Sequence, residues 1–167
     1  MADQVIALGT AELNLSPDAF HMWAQHYFKC MKDFISPHKF SPVPYFLTCR
    51  AIELQLKAHH LKTNRQSFVK NKFGHDLIRS YSSLDVNDQI LTISEFNELR
   101  KANEVYSKKG FEYFAPFDAL IGYSNFPDLD ILMGLVNAFL DTDNSFSQNH
   151  KSEVRGSSIS LIDFEDG

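Results

Sequence analysis

Apolar residues recur at steps of three and four across most of the first 142 residues, and this helical spacing limits the fold more than any other feature of the sequence. Ser16 and Pro17 form an N-cap followed by proline at the first helical position, which predicts the start of a helix. The single apolar stripe predicted for this helix consists of Phe20, Trp23, Tyr27, Met31 and Phe34.

A second helix is predicted from Pro44 to about Lys62. Its buried stripe is Leu47, Ala51, Leu54, Ala58 and Leu61, and the opposite stripe is Arg50, Glu53, Lys57 and His60. The segment from residue 62 to residue 72 is polar and basic, so we expect a loop or irregular turn there.

Three further helices follow from the same spacing. The third presents Phe73, Leu77, Tyr81 and Leu84. The fourth begins at a capping box of Thr92 and Glu95, with Ser94 as the alternative N-cap, and presents Phe96, Leu99, Asn103 and Tyr106. Residues 110–126 are expected to form a packed loop, after which Pro127 opens a helix with Leu129, Met133, Val136 and Leu140 inward. About five helices with short connections indicate an all-α, up-and-down bundle.

The chain of 167 residues has the length of one domain, which we place at residues 1–142, with an acidic, Ser-rich tail at 143–167. Short apolar alternations at 4–8 and 158–164 could be strands that pair with each other. The alternative is a flexible head and tail.

Composition excludes several classes of protein. Two cysteines, Cys30 and Cys49, make neither a disulfide framework nor a zinc site, and we expect both to be small buried hydrophobes. The sequence has no signal-peptide pattern and no apolar run of membrane-spanning length. These features predict a cytosolic protein without metal or cofactor.

Charge is distributed unevenly along the chain, although the formal net charge is only −5. Residues 50–79 contain seven Lys and Arg against two acidic residues, a local charge of +5. From Asp118 onward, nine acidic residues face two basic ones, a charge of −7. A basic segment interleaved with Phe68, Phe73 and Tyr81 is typical of an anion site for a phosphate, a nucleotide or single-stranded RNA. The alternative is a pair of solvated faces of opposite sign.

Two stretches of this basic segment, AIELQLKAHH (51–60) and KFGHDLIRSY (72–81), carry a family resemblance. The E-x-x-x-K spacing of Glu53 and Lys57, followed by the G-H-D-L helix start at residues 74–77, resembles the HEPN superfamily. The resemblance covers roughly residues 20–140 and includes Tyr106 and the aromatic run at 111–114. It implies a helical bundle, commonly dimeric, of the kind often encoded in toxin–antitoxin and defence systems.

Many members of that superfamily are metal-independent ribonucleases whose signature is an Arg, four to six residues, and then a His. None of the five arginines of this chain is followed by a histidine at that spacing, so the ribonuclease motif is absent. What the resemblance still implies is a non-catalytic role, either binding a nucleotide, RNA or other anion, or contacting a partner protein.

The predicted ligand-binding residues are Arg50, Glu53, Lys57, Arg65, Lys72, His75, Asp76 and Arg79. Simpler interpretations are a surface salt bridge between Glu53 and Lys57 and a helix cap formed by His75 and Asp76. His75 is the one catalytic candidate, as a general acid or base. The alternative functions are an antitoxin-like interaction subunit, acting as a homodimer or with an acidic partner, and a ribonuclease that uses His75.

Overall fold

The computed structural model describes residues 16–37, 41–113 and 126–142. Six α-helices lie in these ranges: α1 (Pro17–Asp33), α2 (Val43–Leu61), α3 (Gln66–Phe73), α4 (Leu77–Ser82), α5 (Ile93–Tyr106) and α6 (Leu129–Asp141). A 3₁₀ turn at Val86–Asp88 separates α4 from α5, and the described residues contain no strand. The all-α prediction is therefore confirmed. The predicted terminal strands, the acidic tail and most of the predicted 110–126 loop lie outside these ranges.

Side-chain caps fix the starts of four helices, α1, α4, α5 and α6. The Ser16 hydroxyl accepts a hydrogen bond from the Ala19 amide at 3.2 Å, as predicted for α1. Thr92 and Glu95 form the predicted capping box, in which each side chain accepts from the other residue's backbone amide. The last helix begins later than Pro127, because Asp128 is its cap and accepts from the amides of Asp130 and Ile131.

Helix α2 is the central element, because each of the other five helices packs against it. It is therefore buried on nearly all sides, including the consecutive residues Ala51 through Leu56. The predicted buried stripe is confirmed for Ala51, Leu54, Ala58 and Leu61, but the opposite stripe is largely buried as well. Glu53 and His60 keep only 3% and 8% of their surface exposed. Polar groups buried in this way need partners within the protein.

Helices α1 and α6 follow the predicted period with a shifted phase, whereas α5 buries Leu99 and Tyr106 as predicted. In α1 the buried residues are His21, Ala24, Phe28 and Met31, whereas Trp23 is 46% exposed. In α6 they are Leu132, Leu135, Val136 and Phe139, of which only Val136 was expected. Aromatic and aliphatic residues occur on more than one side of these helices, so packing against α2 decides which side is buried.

The predicted loop at 62–72 is also wrong, because helix α3 occupies most of it. Only Val69 and Phe73 are buried in this helix, where they join Leu61 and Phe20 in a small second core. Two inward residues are too few to produce a periodic signal. Gly74 ends α3 at a φ of +53°, a value that favours glycine, and this turn separates α3 from α4.

The main core lies where α2 meets α1, α4, α5 and α6, and Leu77, Leu99, Leu132 and Leu135 are fully buried in it. Within the three described ranges, we find no helix with both the length and the apolar character needed to cross a membrane.

Candidate functional site

A buried carboxylate, Glu53, organises the polar interior of the bundle. Its Oε1 accepts hydrogen bonds from Arg50 Nη1 at 3.0 Å and from Lys57 Nζ at 2.5 Å. Its Oε2 accepts from His75 Nδ1 at 3.0 Å and from the Tyr106 hydroxyl. We call these five residues the Glu53 cluster.

Three elements supply the members of this cluster. Arg50, Glu53 and Lys57 are spaced three and four residues apart, so they share one face of α2. His75 lies in the short connection between α3 and α4, immediately after the turn at Gly74. Tyr106 is the last residue of α5 and is only 3% exposed. The cluster therefore joins α2 to α5 and to the α3–α4 connection.

The partners of Glu53 keep its carboxyl group ionised. Burial by itself would raise the pKa of Glu53, but the charge and hydrogen bond of Lys57, the Tyr106 hydroxyl and the Arg50 charge together lower it. The pKa of the Tyr106 hydroxyl is raised, first by burial and then by the neighbouring carboxylate. Tyr106 therefore stays protonated and donates to Glu53.

His75 is the member of the cluster nearest to solvent, with half of its side chain exposed. Its ring lies edge-on to the Tyr106 ring, with centroids 6.1 Å apart. An ionised carboxylate only accepts hydrogen bonds, so His75 Nδ1 carries a hydrogen and Nε2 is the nitrogen left for a ligand. A histidine held this way can donate to, accept from or exchange a proton with a bound group.

A hollow of about 480 Å³ borders the cluster on the side of α3. Its wall contains the cations Arg50, Lys57 and Lys70 together with His75 and Glu53, and we call it the Lys70 hollow. Lys70 forms no ion pair with any described residue. The apolar part of its wall consists of Phe20, Leu54, Leu61 and Val69.

A second, smaller hollow of about 260 Å³ borders the cluster on the side of α5. Arg50 and His75 line both hollows, so the two cavities meet at these side chains. The remaining residues of the second hollow are Tyr27, Phe46, Tyr106, Lys109 and Glu112. We call it the Lys109 hollow.

Asp76 serves as a helix cap, which confirms the simpler interpretation for this residue. Its Oδ1 accepts from the Arg79 amide at 2.9 Å, at the start of α4. The same oxygen accepts from Asn103 Nδ2, and Asn103 Oδ1 in turn accepts from the Leu77 amide at 2.7 Å. His75, by contrast, is not the cap residue of α4. Asp76 therefore connects the start of α4 to Asn103 of α5 by hydrogen bonds, and it holds the backbone next to His75 in place.

The other predicted ligand-binding residues lie away from the Glu53 cluster. Arg65 is exposed at the N-cap of α3, without a side-chain capping bond. Lys72 lies over the rings of Phe68 and Phe73, at 5.3 and 5.2 Å from their centroids. It lines a third hollow of about 430 Å³ that also contains His60. Arg79 Nε is 3.7 Å from Asp76 Oδ2, in an exposed pair. The structure thus brings together Arg50, Glu53, Lys57 and His75 only.

Several further predictions are settled by burial. Tyr106 is buried as expected, whereas Tyr113 is 67% exposed. Cys49 is fully buried, and burial raises the pKa of its thiol, whereas Cys30 is exposed, contrary to prediction. The bond between Tyr106 and Glu53 was missed because 53 residues separate them and no local spacing connects such a pair.

No group of three or more His, Cys, Asp or Glu in the described ranges is arranged to hold a metal ion.

In comparisons with known proteins, no family model, curated protein or solved structure matches this chain.

Proposed function

We propose that this chain is a HEPN-like, non-catalytic binding module that takes up a nucleotide, either free or as part of an RNA, by its phosphate. The ligand binds in the Lys70 hollow. The observation that carries the proposal is the composition of its polar wall, where three cations face the hollow and the single carboxylate among them is buried. A phosphate entering there meets an excess of positive charge.

The buried carboxylate supports this role because it orients the cations without occupying all their donors. Arg50 has five N–H groups and Lys57 has three, and each residue donates one hydrogen bond to Glu53. Their side chains keep 27% and 12% of their surface exposed, so donors remain at the wall of the hollow. Side chains fixed before binding lose less conformational entropy when a ligand arrives.

The apolar wall supports a nucleotide rather than a bare anion. The hollow volume of about 480 Å³ lies within the usual range for small-molecule sites, roughly 300–1,000 Å³. The Phe20 ring and the aliphatic residues beside it offer a surface for a base, while Lys57 and Lys70 take the phosphate. The residues of the HEPN resemblance that meet here, Glu53, Lys57 and His75, also favour this hollow over the one at Lys72.

The test is a calorimetric titration of the wild-type chain and of Lys70→Glu with AMP, with ATP and with a single-stranded RNA of about eight nucleotides. Lys70 is exposed and has no ion-pair partner among the described residues, so its reversal should leave the fold intact. Replacing an attraction by a repulsion at such a site should weaken binding of all three ligands about tenfold.

Arg100→Glu is the control, because it makes the same change of charge on the exposed side of α5, outside all three hollows. It should bind as the wild type does, and circular dichroism should show equal helicity in all three proteins. Failure of the wild type to bind any of the ligands, or equal affinities of Lys70→Glu and wild type, would overturn the proposal.

A further inference from the structure

The Lys70 and Lys109 hollows share two side chains, and this shared boundary bears on the length of the ligand. Arg50 and His75 line both cavities, and each is tied to a different oxygen of Glu53. The boundary between the hollows is therefore a fixed pair of nitrogen-bearing groups. Groups of this kind suit a negatively charged link that passes from one cavity to the other.

From this juxtaposition we propose that the ligand is a single-stranded oligonucleotide of at least two linked nucleotides, one in each hollow, with the joining phosphodiester on Arg50 and His75. The inference rests on the proposed function, since the first nucleotide occupies the Lys70 hollow. It adds the Lys109 hollow as a second nucleotide subsite.

The residues of the Lys109 hollow suit a second nucleotide. Tyr27 and Phe46 are half-buried aromatic residues at its wall, and aromatic faces stack on bases of any sequence. The Arg50 guanidinium lies 5.8 Å from the Tyr27 ring centroid, so the phosphodiester position adjoins the aromatic surface. A phosphate flanked by two stacking sites is the repeating pattern of a single strand.

Two exposed charges of opposite sign in this hollow allow a sharp test. Lys109 and Glu112 both line it, and neither forms an ion pair with any described residue. Lys109 attracts a backbone that passes through the hollow, whereas Glu112 repels it. Neither residue lines the Lys70 hollow, so a mononucleotide bound there should not respond to changes at either position.

The experiment compares AMP with the 5′-phosphorylated dinucleotide pApA by calorimetry. Stacking of the second base should make pApA bind about fivefold or more tighter than AMP. Lys109→Gln should weaken pApA about two- to fivefold, and Glu112→Gln should strengthen it by a similar factor. AMP should bind equally to all three proteins. Lys109 has a φ of 60°, and glutamine, which also has a Cβ, keeps the same backbone cost.

Salt dependence gives an independent reading. The phosphodiester gives pApA one more negative charge than AMP, and salt screens its attraction to the cations of the site, so the affinity for pApA should fall more steeply with salt concentration than the affinity for AMP. Equal affinities for AMP and pApA, or a pApA affinity insensitive to both substitutions, would overturn the second subsite while leaving the AMP site in place. Absence of AMP binding would instead overturn the proposed function itself.

Discussion

Replacing Glu53 by glutamine should destabilise the protein strongly at neutral pH. Glutamine has nearly the same shape, but it leaves the Lys57 ammonium, only 12% exposed, without its counter-ion. Breaking a buried ion pair by removing one partner typically costs about 3–5 kcal/mol. For a protein whose whole stability is of order 5–15 kcal/mol, this is a large fraction, and it corresponds to a melting temperature roughly 6–20 °C lower.

The loss of stability caused by Glu53→Gln should become smaller as the pH falls. The folded-state pKa of Glu53 is lowered, so its stabilising contribution is complete above the ordinary value of 4.5 and is lost as the pH falls through the folded-state pKa. Below that point the wild-type carboxyl group is protonated and leaves Lys57 unpaired, as glutamine does. The stability difference between wild type and Glu53→Gln should therefore narrow below pH 4.5.

Urea unfolding followed by circular dichroism at pH 7 and near pH 3.5 measures both effects. The double variant Glu53→Gln with Lys57→Met should regain much of the loss, because it removes the unpaired charge as well. Asp33→Asn, which breaks the exposed pair with Lys29, should leave the stability unchanged. A loss below about 1 kcal/mol at pH 7, or a difference that stays constant at acid pH, would refute the reasoning.

Three other substitutions test the fold. Leu132→Ala empties a fully buried position in α6 and should cost about 2–5 kcal/mol in urea unfolding; a loss under 1 kcal/mol would contradict its place in the core. Thr92→Ala removes the capping box of α5 and should lower the free energy of unfolding by about 1 kcal/mol in the same assay. An unchanged free energy of unfolding would contradict a stabilising role of the cap. Burial lowers the pKa of His60, whose Nε2 donates to the Ser80 carbonyl. Because the pKa is lower in the folded protein, the contribution of neutral His60 to stability is complete above pH 6.5 and is lost as the pH falls through the folded-state pKa. His60→Gln should therefore make the free energy of unfolding depend less on pH between about 7.5 and about 5. If the pH dependence of the variant equals that of the wild type, another group causes it.

Local rules predicted the features that depend on neighbouring residues. The cap at Ser16, the capping box at Thr92 and the helical period of α1, α2, α5 and α6 were all readable from the sequence. The two ion pairs of Glu53 along α2 also followed from spacing, because residues three and four apart lie on one side of a helix. The prediction of which side of a helix faces the core was less successful: Trp23, predicted on the inward stripe of α1, is exposed.

The sequence by itself determined that this chain is helical and that a carboxylate lies between two cations on α2. Only the tertiary structure decided that this carboxylate is buried, because five helices pack around α2 and leave little of its surface exposed. The same packing brings His75 and Tyr106 to Glu53 from distant segments, and no spacing rule links residues so far apart in the chain. A surface salt bridge was therefore a reasonable prediction, and the tertiary structure makes it part of a buried polar network.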